Sequence, residues 1–229
     1  MTLKELREAL GLDCSLPAIH YALNDMGLTY KKKTLRASEQ DRPDIAQARK
    51  AWRRRQLGFD PAKLVFIDES GAKTNMTRLR GRALRGKRLY ASAPQSHWHT
   101  TTMICSMRLD GSTACMAVEG ATDTELFRAY VRRVLCPTLR AGDVVIMDNL
   151  SPHKSAETLG LIQQLGATVL FLPAYSPDFN PIEKMWSKLK EFLRSAQARS
   201  KPALIQANCL SFGGDHTARR HELVRLMRL

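Results

Sequence analysis

Apolar residues in this chain follow two rhythms, and the change between them falls near Ala62. Upstream they recur at helical spacing. Thr2-Leu3-Lys4-Glu5 fits a capping box, and the helix it opens stops at Gly11. Ser15 caps a second helix, Leu16 to Met26, with Pro17 near its start and Gly27 at its end. Leu16, Ile19, Leu23 and Met26 form its packing stripe. Arg42-Pro43-Asp44 begins a third helical run that continues to Gln56 and contains Trp52-Arg53-Arg54-Arg55.

Downstream the pattern turns to short apolar runs of strand type. Leu64-Val65-Phe66-Ile67 ends in Asp68, and Val144-Val145-Ile146-Met147 ends in Asp148. Residues 101–109 and 113–119 flank Asp110-Gly111, a two-residue turn signal, and predict a hairpin. Residues 168–172 predict a further strand. Between the strands, Thr122-x-x-Glu125 opens a helix to about Leu135, with Leu126, Tyr130, Val131 and Val134 inward. A helix after Ser151-Pro152 runs to Leu165 and stops at Gly166. Asn180-Pro181 opens the last helix, whose stripe is Ile182, Met185, Trp186, Leu189, Phe192 and Leu193. Strand, hairpin strands, helix, strand, helix, strand, helix is the order of an α/β domain whose mixed sheet begins antiparallel and becomes parallel. The ribonuclease-H-like catalytic core has this arrangement, here preceded by a small helix-turn-helix segment.

Charge sharpens the picture. The chain has 229 residues, 44% of them hydrophobic, enough for a sizeable core. Its net charge of +14 and pI near 9.9 favour a polyanionic partner, with nucleic acid before an acidic membrane. The charge is uneven: residues 61–100 carry net +6, while residues 101–150 carry net −1. Gly71 to Tyr90 holds seven basic residues and no acid, among them Arg78, Arg80, Arg82, Arg85, Lys87 and Arg88. These like charges repel unless a polyanion lies against them, although a solvated loop is the alternative. On the second helix His20, Tyr21 and Asn24 face outward, followed by Lys31-Lys32-Lys33. They suit base edges or phosphates, or else a plain helical hairpin with a solvated lysine cluster. Arg53-Arg54-Arg55 either touches phosphate or ends a solvated helix. No apolar run reaches the length of a membrane span, and Met1-Thr2-Leu3-Lys4-Glu5 does not begin a signal peptide. The scattered cysteines Cys14, Cys105, Cys115, Cys136 and Cys209 predict reduced thiols with neither zinc nor disulfides, and a cytoplasmic protein.

The candidate chemistry lies in three carboxylates. Asp68 and Asp148 both end buried strands, and neighbouring strands lie about 5 Å apart. Glu183 sits in the first turn of the last helix, expected at the same rim. Three converging carboxylates raise one another's pKa values, and a divalent cation reverses that penalty. Oxygen ligands favour Mg²⁺ or Mn²⁺, and two such ions suit phosphodiester cleavage. Lys184 and Lys188, a like-charged i,i+4 pair, make sense beside phosphate. Asn149 and His153 follow Asp148; His153 either contacts phosphate, orients a water or bonds the backbone near a helix start. His97-Trp98-His99 lacks the other ligands of a metal site and is expected as a loop or strand start.

The segments F-I-D-E-S, V-I-M-D-N-x-x-x-H-K and L-P-A-Y-S-P-D-F-N-P-I-E-K-M-W-S-K-L-K closely resemble the DDE endonuclease domain of mariner-superfamily transposases, nearest the bacterial insertion-sequence branch called IS-six-thirty. Thirty-four residues separate Asp148 from Glu183, the spacing of that branch. The resemblance covers residues 15 to 195. It implies Asp68, Asp148 and Glu183 as the catalytic, metal-binding triad, Mg²⁺ dependence, cleavage at element ends and strand transfer into TA sites of target DNA. Implied partners are double-stranded DNA, as terminal inverted repeats and target, and a second copy in a homodimer. Expected domains are a winged-helix-like helix-turn-helix at 1–36, a linker helix at 37–60, the endonuclease domain at 61–199 and an atypical tail at 200–229. The family carries two helix-turn-helix units where this chain fits one, and the tail lacks amphipathic periodicity. The chain is therefore expected to be short at its N-terminus, with a tail from a shifted reading frame. The alternative function is a truncated, non-catalytic derivative that only occupies element ends.

Overall fold

The computed structural model describes residues 2–29, 36–78, 80–96, 98–204 and 206. Lys31, Lys32, Lys33 and His97 lie outside these residues, as does the tail beyond 206. The chain divides into two compact units, Met1–Ala37 and Ser38–Leu229.

The first unit is a helical hairpin. In α1 (Leu3–Ala9) the capping box forms as its sequence predicts: Thr2 Oγ1 accepts from the Glu5 N–H, and Glu5 accepts from the Thr2 N–H. In α2 (Leu16–Asp25) Ser15 Oγ accepts from the Ala18 N–H, and Pro17 sits in the first turn. Ile19 is buried, but Met26 is 70% exposed and leaves the expected stripe. It stands at the cap, where the helix has already ended.

The second unit is built on a five-stranded sheet of order β3-β2-β1-β4-β5. The strands are β1 (Leu64–Lys73), β2 (Thr100–Arg108), β3 (Thr113–Glu119), β4 (Val144–Met147) and β5 (Thr168–Phe171). β1–β2 and β2–β3 are antiparallel, whereas β1–β4 and β4–β5 are parallel. This is the ribonuclease-H-like mixed α/β sheet. Gly111, at φ 80°, makes the tight turn between β2 and β3, as Asp110-Gly111 predicts.

Alternation along β1 separates two cores. Val65 and Ile67 face a cluster with Phe127, Tyr130, Val145, Met147 and Ile162. These come from α4 (Thr124–Tyr130), its π-helical continuation Val131–Leu135, β4 and α5 (Ala156–Gln163). On the opposite face, Ala72 joins Met103, Ile182, Trp186, Leu189 and Leu193, four of them from α6 (Ile182–Ala196). Phe66 lies there too, beside Trp52 of α3 (Pro43–Gln56) and Ile146, Leu170 and Leu172.

Several local expectations change. Asp123, not Thr122, caps α4, accepting from the Leu126 N–H at 2.8 Å. The helix expected from Ser151 to Leu165 breaks into a 3₁₀ turn, Ser151–Lys154, and α5. The break places His153 in the core. Phe192 is 41% exposed and lies off the buried side of α6. Leu204, in the expected tail, packs against the α6 cluster. The basic helix expected as a linker instead sits on the sheet through Trp52. The largest correction concerns Cys105 and Cys115, expected as free thiols and joined here by a disulfide. They face one another across β2 and β3, a pairing hidden until the hairpin register is known.

Candidate active site

The β1–β4 register pairs Leu64 with Val144 and Phe66 with Ile146. Two residues further along each chain come Asp68 and Asp148. Asp68 lies inside β1, which runs on to Lys73 instead of stopping at the carboxylate as expected. It shares the side-chain parity of Phe66, hence the sheet face covered by α3 and α6; Asp148 is the first residue beyond β4. Glu183 enters from the first turn of α6. Asn180, just before that helix and 5% exposed, accepts from the Ile182 N–H through Oδ1 at 3.4 Å. Its Nδ2 donates to the Ile67 carbonyl at 3.5 Å, drawing the helix start towards β1.

Asp68 senses the other two carboxylates. Burial pushes Asp68 up to about 7, against the pull of the Glu69 backbone N–H. The charges of Glu183 and Asp148 push it the same way, while a hydrogen bond from Trp186 pulls it down. That bond runs from the indole Nε1 to Asp68 Oδ2 at 3.0 Å. Asp148 has the opposite outcome. Burial also disfavours its ionised form, but His153, the Leu150 N–H and Lys154 outweigh this and hold it below the usual carboxylate range.

His153 is 1% exposed, with its ring against Phe127 at 4.2 Å between centroids. Its Nδ1 is 2.7 Å from Asp148 Oδ1, and its Nε2 is 3.3 Å from Glu69 Oε1. The Nδ1–H is not aimed at Asp148, so that contact is an ion pair rather than a directed hydrogen bond. Burial alone would lower the imidazole pKa; the two carboxylates overcome it and raise it to about 9. His153 is thus a buried imidazole clamped between Glu69 of β1 and Asp148 just beyond β4. Asn149 donates from Nδ2 to the Leu172 carbonyl, tying the loop after β4 to the end of β5.

Among the described residues no three His, Cys, Asp or Glu side chains close to metal-holding distances. The donor set nevertheless fits a hard divalent cation. It offers carboxylate oxygens alone, and the mutual repulsion that Asp68 registers is what such a cation relieves.

Around this centre the structure adds residues that the pattern did not single out. Arg49 of α3, 8% exposed, forms a two-pronged pair with Asp178 at 2.9 and 2.7 Å and donates to Ser176 Oγ at 2.7 Å. Its guanidinium also lies 4.4 Å from the Phe179 ring centroid. The loop it holds leads from β5 into α6. In that loop Tyr175 adopts φ 55°, and its carbonyl accepts from Gln40 Nε2 at 2.6 Å. Glu69 was hidden beside Asp68, and Trp186 was hidden inside an ordinary packing stripe.

Of the expected DNA contacts, Arg78, Arg80, Arg82, Arg85, Lys87 and Arg88 are exposed and form no ion pair with a described residue. Lys184 and Lys188 are exposed on α6. In the first unit His20, Tyr21 and Asn24 are exposed, with His20 Nε2 and Asn24 Nδ2 3.2 Å apart. No helix among the described residues is long and apolar enough to cross a membrane.

Residues 63–205 match the family described as DDE superfamily endonuclease. The chain is 27% identical over 179 residues to the transposable element Tcb1 transposase of Caenorhabditis briggsae, a match covering 70% of this chain and 65% of that relative. It thus spans just under two thirds of that protein's length. Among solved structures, the Mos1 transposase paired-end complex with left transposon end superposes with a TM-score of 0.67 at 19% identity, covering 94% of this chain and 68% of the other. The Mos1 mariner paired end complex with Mn gives 0.66 at 18% identity, covering 97% and 71%.

Proposed function

The chain belongs to the DDE superfamily endonucleases, and from that premise we propose that it is a DNA transposase, with Asp68, Asp148 and Glu183 as its catalytic carboxylates. One observation carries the assignment: β1 and β4 pair in register just ahead of Asp68 and Asp148, and Asp68 feels the charges of both Asp148 and Glu183. The similarity to Tcb1 transposase and to the Mos1 complexes supports transposition as the use of this centre.

The three carboxylates would hold Mg²⁺ or Mn²⁺, as two ions, which supply a polarised water and stabilise the leaving oxygen of a phosphodiester. The protein's own part is to fix the orientation of each acid. His153 neutralises Asp148 from behind and fixes its carboxylate against β1 through Glu69. Asn149 anchors the same loop to β5. Arg49 secures the approach to α6, so Glu183 meets the sheet at a set height. The exposed cations of residues 78–88, with Lys184 and Lys188, suit the phosphate backbone of the element end. The α1–α2 hairpin, through His20, Tyr21 and Asn24, suits a groove or backbone contact. The bacterial IS-six-thirty branch, TA target sites and a homodimer on paired ends complete the proposal.

The test is nicking of a duplex bearing the element's terminal repeats. Asp68→Ala, Asp148→Ala and Glu183→Ala should each abolish Mg²⁺-dependent cleavage while repeat binding persists. Retained cleavage in any one removes that residue from the centre. Binding without nicking by the unaltered chain would select the alternative, a derivative that only occupies the ends.

A further inference from the structure

We propose that Trp186 is a positioning residue for Asp68: its indole N–H holds one carboxylate oxygen so that the other is presented to a divalent cation. The inference rests on the DDE reading of the centre and concerns how that centre is preset.

Four observations support it. Trp186 Nε1 lies 3.0 Å from Asp68 Oδ2, a good hydrogen-bond distance. The ring is 1% exposed and packed among Met103, Cys105, Ile182 and Leu189, so it cannot swing away without opening the core. Trp186 stands three residues after Glu183, about one turn along α6. A single helical turn thus delivers one proposed ligand and a support for another. Last, the chemistry of the donor is restrictive. An indole has one N–H and no acceptor, so it can bind one oxygen but cannot compete with a carboxylate for a cation.

Asp148 has an equivalent support of a different kind. His153 Nδ1 and the Leu150 N–H, the latter at 3.1 Å, both engage its Oδ1. Asp68 and Asp148 therefore each have one oxygen held by buried or backbone groups. For Asp148 the holder is an ion pair. For Asp68 it is a neutral N–H donor. Groups that orient metal ligands in this way typically change metal affinity or activity about 10- to 100-fold when removed.

The experiment uses the full chain and Trp186→Phe, which keeps an aromatic ring and removes the donor. Mn²⁺ affinity, followed by the electron paramagnetic resonance signal of free Mn²⁺, should weaken about 10-fold or more. Cleavage at low Mn²⁺ should fall and recover as Mn²⁺ is raised. Unchanged affinity in a folded variant overturns the inference. If the wild type itself binds no Mn²⁺, the DDE reading fails and this role falls with it. A wild type that binds Mn²⁺ beside an equally competent variant rejects Trp186 alone.

Should Trp186→Phe not fold, the indole ¹⁵N–¹H signals of the unaltered chain decide, assigned by elimination with Trp52→Phe and Trp98→Phe. The Trp186 signal should move in Asp68→Asn and again when Mg²⁺ is added to the wild type. A signal indifferent to both overturns the proposal.

Discussion

Arg108 and Asp143 meet at the entry to β4, where Arg108 Nη1 and Nη2 reach the carboxylate at 3.3 and 2.5 Å. Arg108 also donates to the Thr138 carbonyl, and Asp143 accepts from the Arg140 N–H. Burial of Asp143, 1% exposed, disfavours its charge, yet these bonds hold its pKa below the ordinary 3.8. A depressed acid gives stability that is present above its unfolded pKa and lost as pH falls through the folded value. In Arg108→Met the buried carboxylate has lost its cation, and the expected loss at pH 7 is about 3 kcal/mol. Its pKa then rises, so acidification protonates it and relieves the strain. Urea midpoints should therefore differ most at pH 7 and converge towards pH 4; a constant gap would show that the pair is not the cause. Asp68 and Asp148 were legible because an apolar run meeting a carboxylate is a local pattern, although β1 runs on past Asp68 to Lys73. The pairs that support them were not. Arg49 finds Asp178 at a separation of 129 residues, and Trp186 finds Asp68 at 118. No periodicity carries that information.

At the scale of elements, α3 is the instructive case. It lies upstream of the residues that match the endonuclease family, which begin at 63. Yet Trp52, 5% exposed, completes the cluster of Ile146, Leu170 and Leu172, and Arg49 clamps the loop into α6. Its sequence is mostly charged, so it reads as a solvated linker; one tryptophan and one arginine determine where it goes. Trp52→Ala should cost about 3–5 kcal/mol, measured by denaturant unfolding. A chain beginning at residue 38 should unfold cooperatively with a heat-absorption peak near that of the full chain. One beginning at 61 should melt far lower. Equal melting of the two would demote α3 to an ornament. The strands and their order were predictable because β-branched runs and the Asp110-Gly111 turn are local signals. The Cys105–Cys115 pairing and the broken helix at 151–163 depend on register and burial, which local signals do not contain.

Across the whole molecule the dominant quantity is charge. The net +14 is concentrated near the described stretch 78–88, where Arg78, Arg80, Arg82, Arg85, Lys87 and Arg88 all face solvent. If these side chains meet DNA phosphates, each contact releases condensed counterions and steepens the salt dependence of binding by about 0.9 per phosphate. Replacing Arg80, Arg82, Arg85 and Lys87 with glutamine should then flatten the slope of log K against log salt by about 3 to 4. Filter binding from low to moderate salt measures it, and an unchanged slope would place the DNA elsewhere. The fold itself predicts little melting change, since these positions are exposed.

The mixed sheet also fixes an order in time. β1 meets β2, and β2 meets β3, through nearby chain, but the other edge of β1 waits for β4, and Asp148 follows Asp68 by 80 residues. Glu183 comes 35 residues later still. Closing such separations costs chain entropy before any contact rewards it. A growing polypeptide can fold its antiparallel half once residue 119 has been made, about half of the 229 residues, with one acid in place and no partner for it. The three acids can come together only once residue 183 has been made, and a chain stopped before it has its antiparallel strands but lacks the third carboxylate.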